Sequence, residues 1–200
     1  GECDTDTLDY FDTGHVLFNC QISGRWNGGM PDNKMLMMAG AEASGKSYFM
    51  KNIIASAMNK HGYGVIYFDT EGECRREDLL VHGISPEKVL KPLPPEPKKK
   101  EEVRQWHTIN LKNKLVQLIN HIRPGKKVMV VIDSLSNLPG ASELEVAIKD
   151  DDAEDMGRRN KQLKAMFRVI SEPAASKRVP IVIISHVYKT IGLFSSTEIS

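Results

Sequence analysis

One stretch constrains this chain more than any other: Gly40-Ala41-Glu42-Ala43-Ser44-Gly45-Lys46-Ser47. It follows the apolar run Lys34-Met35-Leu36-Met37-Met38-Ala39. It precedes Tyr48 to Lys60, where Phe49, Ile53 and Ala57 recur every fourth residue, as on one helix face. Strand, glycine-rich loop and helix together are the setting in which G-x-x-x-x-G-K-S acts as a phosphate loop. Gly45 lets the backbone curl so that its N–H groups face phosphate oxygens, and the helix N-terminus adds its dipole. Lys46 is placed to reach the β- and γ-phosphates, and the Ser47 hydroxyl takes a magnesium position. Tyr48 adjoins the loop and joins the nucleotide-contacting set. The stretch reads as a site for a nucleoside triphosphate with Mg2+.

Three further apolar runs follow: Val65-Ile66-Tyr67-Phe68, Val128-Met129-Val130-Val131-Ile132 and Ile181-Val182-Ile183-Ile184. All four are continuous rather than alternating, the pattern of strands covered on both faces. Helical patterns separate them, with Leu111, Leu115, Leu118, Ile119 and Ile122 on one stripe between Thr108 and Arg123. Met156, Leu163, Met166, Phe167 and Ile170 form another between Asp155 and about Ser171. The expected fold is therefore α/β, a mostly parallel central sheet with helices on both faces. Ligands of such sheets sit beyond the carboxyl ends of the strands.

Charged groups follow the strands where that rule requires them. Asp69-Thr70-Glu71-Gly72 comes after the second run; its carboxylates suit either an attacking water or the N-terminus of the helical stretch from Arg75 to Val81. The third run ends in Asp133, the usual partner of a phosphate loop in holding magnesium through water. The fourth runs into Ser185-His186, where a histidine serves either as a γ-phosphate sensor or as a structural residue.

The 200 residues carry a formal net charge of +1, so any polyanion must be met by a local patch. One candidate follows the acidic stretch Ser142 to Asp155: Arg158, Arg159, Lys161, Lys164 and Arg168, with Lys161, Lys164 and Arg168 three and four apart on one face. A solvated helix face explains that stripe as well as phosphate tracking does. Lys91-Pro92-Leu93-Pro94-Pro95-Glu96-Pro97-Lys98-Lys99-Lys100 reads as an exposed loop. Cys3, Cys20 and Cys74 are too scattered for a zinc site or disulfide framework and suit a reducing cytosol. No run is long enough to span a membrane.

Together these motifs resemble the RecA/Rad51 strand-exchange recombinases, and within them the UvsX-type recombinases of large tailed phages. The likeness runs from Thr13-Gly14 through Gly28-Gly29-x-Pro31, the phosphate loop, Asp69-Thr70-Glu71-Gly72 and Val131-Ile132-Asp133-Ser134. It ends with Ser185-His186-Val187-Tyr188-Lys189-Thr190 and Gly192-Leu193-Phe194. The resemblance implies a RecA-type ATPase core over residues 13–200, with 1–12 as an N-terminal remnant or linker, ending inside the second DNA-binding loop. It implies ATP and Mg2+ as cofactors, Glu71 as the carboxylate that activates water, Lys46 as a catalytic cation and His186 as the γ-phosphate sensor. Met156, Gly157, Arg158, Lys161, Lys164 and Arg168 fall on the first DNA-binding region, and Lys189 and Phe194 on the second. The implied partners are single-stranded DNA, homologous duplex DNA and further copies in a filament, in the cytoplasm of a host and away from membranes. Where the family stacks adenine on a tyrosine, Cys74 to Leu80 holds none, which leaves the adenine contact open, with Arg75 and Arg76 as candidates to stack there. The ATP site is expected to need residues from a neighbouring subunit for efficient hydrolysis. A hexameric RecA-fold helicase or motor shares most of these features, and a non-catalytic recombinase paralogue acting as an ATP-binding regulator shares many.

Overall fold

The computed structural model describes residues 7–96, 104–123, 125–140 and 152–187, with side chains omitted for 152–156. Its centre is a five-stranded, wholly parallel sheet. The strands are β3 (Met35–Gly40), β4 (Gly64–Asp69), β5 (Val89–Leu90), β6 (Val128–Asp133) and β7 (Ile181–His186), in the order β3-β7-β6-β4-β5. A small antiparallel pair, β1 (Tyr10–Phe11) with β2 (Met30–Pro31), precedes it. The helices are α1 (Val16–Ser23), α2 (Lys46–His61), α3 (Arg76–Val81), α4 (Thr108–His121) and α5 (Asp152–Ser176).

Alternate residues of each strand feed two separate cores, as the pleat dictates. On one face Val65, Tyr67, Met129, Val131, Val182 and Ile184 pack with Met50, Ile53, Ile54 and Ala57 of α2. On the other, Ile66, Phe68, Val130, Ile132, Ile181 and Ile183 pack with Leu111, Leu115 and Ile119 of α4 and with Leu163, Met166 and Ile170 of α5. Burial of the sheet from both sides explains the unbroken apolar runs in β4, β6 and β7.

The first run departs from that expectation. β3 is the edge of the sheet among the described strands, and Met37 is 47% exposed, so it is apolar without being covered on both faces. Other elements extend past their periodic signal. α5 continues to Ser176 with Pro173 inside it, and α2 begins at Lys46 itself. Residues 91–96 are irregular, as the prolines require. Among the described residues no helix is long and apolar enough to cross a membrane.

The amino ends of the strands are tied down by charge. Asp9, just before β1, accepts from Lys127 at 3.0 Å and meets His61 at the end of α2 at 3.1 Å. These contacts anchor the β1–β2 pair under the sheet and leave the carboxyl ends of the strands to form the site.

Candidate active site

β3 delivers the chain into the loop at Gly40, and α2 takes it away at Lys46. Between them Gly45 lies at φ +88° as the helix N-cap, a left-handed position that favours glycine. The Lys46 side chain is folded into the loop, where its ammonium donates to the carbonyls of Gly40 at 2.9 Å and Ala41 at 2.6 Å. The Val187 N–H also donates to Gly40 O at 3.1 Å, so the loop and the end of β7 brace each other.

A cleft of about 590 Å³ opens here, lined by Glu42, Ala43, Ser44, Gly45, Lys46, Ser47, Tyr48, Glu71, Glu73, Asn137 and His186. The loop residues 42–47, Glu71 and His186, distant in sequence, therefore face one space. Gly40 and Ala41, two of the expected nucleotide contacts, are not among its lining residues, and Tyr48 on the first turn of α2 is 55% exposed.

Glu71 is held by three donors on one oxygen. Asn137 Nδ2 lies 3.1 Å and His186 Nε2 3.0 Å from its Oε1, and Ser134 Oγ donates to the same atom. Capping α3 is not its role: Glu77 and Asp78 occupy that first turn. Asp69 carries the local turn instead, its carboxylate accepting from the N–H groups of Gly72 at 2.7 Å, Glu73 at 3.2 Å and Cys74 at 3.1 Å.

Asp133 ends β6, and the Asp133–Ser134 peptide is cis. Burial pushes the Asp133 carboxyl above its ordinary range, the Tyr67 hydroxyl that donates to it pulls the other way, and the nearby Glu71 and Asp69 charges push it further up. Burial and that carboxylate hold the Tyr67 phenol well above its own range. A part-buried carboxyl with one neutral donor suits a cation reached through water, and Ser47 places a hydroxyl-bearing residue on the cleft wall. Asp133 and Ser47 are both oxygen donors of the type a hard cation such as Mg2+ takes, and Asp133 itself is not among the residues lining the cleft.

The loop after β6 is fixed from the far side by α5. Arg159 donates from Nε to Leu138 O at 2.8 Å, and from one terminal nitrogen to Leu135 O and Ser136 O, both at 3.0 Å. Ser136 Oγ in turn accepts from the His186 N–H at 2.5 Å. Gly157, Arg158, Lys161, Lys164 and Arg168 are exposed along α5, while Leu163, Met166 and Ile170 are buried. Met156 lies in α5 without a described side chain, and Lys189 and Phe194 lie outside the described residues. Arg75 and Arg76 are exposed; Arg76 pairs with Glu87 at 2.7 Å, and neither lines the cleft.

Sequence reading did not single out Tyr67, Asn137 or the inward role of Arg159. Tyr67 carried a faint signal as the one hydroxyl in an otherwise apolar run. Asn137 and Arg159 carried none, because their roles depend on which loops the sheet order makes neighbours.

The chain is 31% identical over 182 residues to the recombination and repair protein of Enterobacteria phage T4. The match takes in 90% of this chain and 43% of that protein, so the chain spans less than half the length of its relative. No family model matches it.

Proposed function

We propose that this chain is the ATPase core of a DNA recombination protein of the RecA type, one that forms filaments on single-stranded DNA and promotes strand exchange. The observation that carries the reading is the convergence of the phosphate loop, Glu71 and His186 on one cleft. The likeness to a phage recombination and repair protein supports its biological setting.

In this reading the N–H groups of the loop and the Lys46 ammonium grip the triphosphate. Ser47 and Asp133 would hold Mg2+, which would supply neutralisation of phosphate charge. Glu71 orients a water and takes its proton as the oxygen attacks the γ-phosphorus and the bond to the β-phosphate oxygen breaks. His186 is within hydrogen-bond reach of Glu71, so the terminal phosphate and the carboxylate compete for the same imidazole. The exposed cationic groups of Lys161, Lys164 and Arg168 meet the DNA backbone.

The test is ATP hydrolysis by the full-length protein with and without single-stranded DNA, alongside Glu71→Gln. Strong stimulation by DNA, filaments in the electron microscope and a loss of turnover of about a hundredfold or more in the variant, with ATP still bound, is the expected result. Directional unwinding of a forked duplex would instead assign a helicase-like motor. ATP binding with no turnover under any condition would assign a regulatory paralogue.

A further inference from the structure

The helix α5 has two functional faces, and one arginine joins them. Lys161 and Lys164 stand exposed on the outer face, while Arg159, less than one turn before Lys161, turns inward and spans three carbonyls of a single loop. Those carbonyls belong to Leu135, Ser136 and Leu138, on either side of Asn137. Asn137 donates to Glu71 at 3.1 Å, and Ser136 Oγ accepts from the backbone of His186, whose ring also meets Glu71. A guanidinium holding three carbonyls has fixed fork geometry, so a shift of α5 cannot leave the loop where it was. Both routes from the loop end on the same carboxylate.

We propose that Arg159 is the positioning residue that couples occupancy of the basic face of α5 to the placement of Glu71, through the loop Leu135 to Leu138. It rests on the reading of the cleft as an ATPase site and of the outer face as a binding surface for single-stranded nucleic acid. Arg159 touches neither ligand. A polyanion drawn onto Lys161, Lys164 and Arg168 moves the helix, the helix moves the three carbonyls, and Asn137 and His186 change their hold on Glu71. By linkage, nucleotide in the cleft alters affinity for the polyanion through the same residue.

The experiment uses the full-length protein, with ATP and a single-stranded oligo(dT) as probes. Arg159→Ala removes all three bonds; Arg159→Lys keeps the charge but loses the fork and serves where the alanine variant does not fold. Three quantities are measured for each: ATP affinity, oligo(dT) affinity by fluorescence anisotropy, and the ratio of hydrolysis with oligo(dT) to that without. The expected result is near-native affinity for each probe alone, with the stimulation ratio lowered about fivefold or more. A readout independent of hydrolysis accompanies it: a non-hydrolysable ATP analogue no longer tightens oligo(dT) binding.

Full stimulation in both variants overturns the proposal. So does a fall in oligo(dT) affinity that accounts for the whole effect, since Arg159 would then be a nucleic-acid contact. Wild-type protein that hydrolyses no ATP, or binds no oligo(dT), refutes the underlying functional reading and is told apart from failure of the coupling by the unsubstituted control.

Discussion

Asp133 and Tyr67 meet across the neighbouring strands β6 and β4, with the phenol donating to the carboxylate. Burial raises the Asp133 carboxyl from an ordinary 3.8, and the charges of Glu71 and Asp69 raise it further. An acid whose folded value lies above its unfolded one stabilises the fold fully below the unfolded value. That contribution is lost as pH rises through the folded value, so at neutral pH Asp133 is a net cost. Asp133→Asn keeps an acceptor for Tyr67 and removes the charge. The expected outcome at neutral pH is a higher melting temperature, by roughly 2–4 °C for each kcal/mol recovered, together with weaker Mg2+-dependent nucleotide binding; an unchanged or lower Tm would contradict it. The same residue stood out in the sequence because it terminates an apolar run, and Glu71 and His186 follow such runs within two or three residues. Ser134, Asn137 and Arg159 were not, since no spacing reveals that β6 lies between β4 and β7.

Elements were legible in proportion to their periodicity. α2, α4 and α5 each bury one stripe and were readable on that ground, whereas α1 was not, since Val16 and Leu17 are exposed and its buried residue is Asn19. That asparagine organises the region: its Oδ1 accepts from the Thr13 N–H at 2.9 Å and from the Thr13 hydroxyl at 2.7 Å. The backbone of Gly29 presses against the same pair, where a Cβ would stand 2.8 Å from Asn19 Oδ1, 2.9 Å from Thr13 Cγ2 and 3.2 Å from Asn19 Cα. Gly29→Ala should therefore destabilise the protein by about 1–3 kcal/mol, as overpacking does. A urea unfolding curve superimposable on the wild type would count against this packing. Thr13-Gly14 and Gly28-Gly29 were visible as sequence patterns, but their purpose is steric and needed coordinates. The brevity of β1, β2 and β5, two residues each, left no alternation to read.

At the scale of the whole molecule, near-neutral charge means that long-range attraction does not draw a polyanion in. In the proposed reading, binding rests on local groups such as the exposed cations arrayed along α5. Replacing Lys161, Lys164 and Arg168 together by alanine should reduce the slope of log affinity against log salt by about 0.7 for each phosphate no longer neutralised. Anisotropy titrations of oligo(dT) over a salt series check this, and an unchanged slope would place the binding surface elsewhere. The sheet order has a further consequence, for the sequence of events in folding. Among the described strands β3 pairs with β7 alone, and β7 lies at the far end of the described chain. The strand that feeds the phosphate loop therefore cannot dock until the most distant strand has arrived, a closure of high contact order and correspondingly slow. Competence to hold nucleotide should appear with the last phase of refolding, which stopped-flow with a fluorescent ATP analogue would show as a binding signal lagging the burial of Trp106. Among the described strands, the one beside the loop at residues 40–47 joins the sheet only after β7, so making that loop does not by itself complete the cleft, whose wall includes His186 at the end of β7.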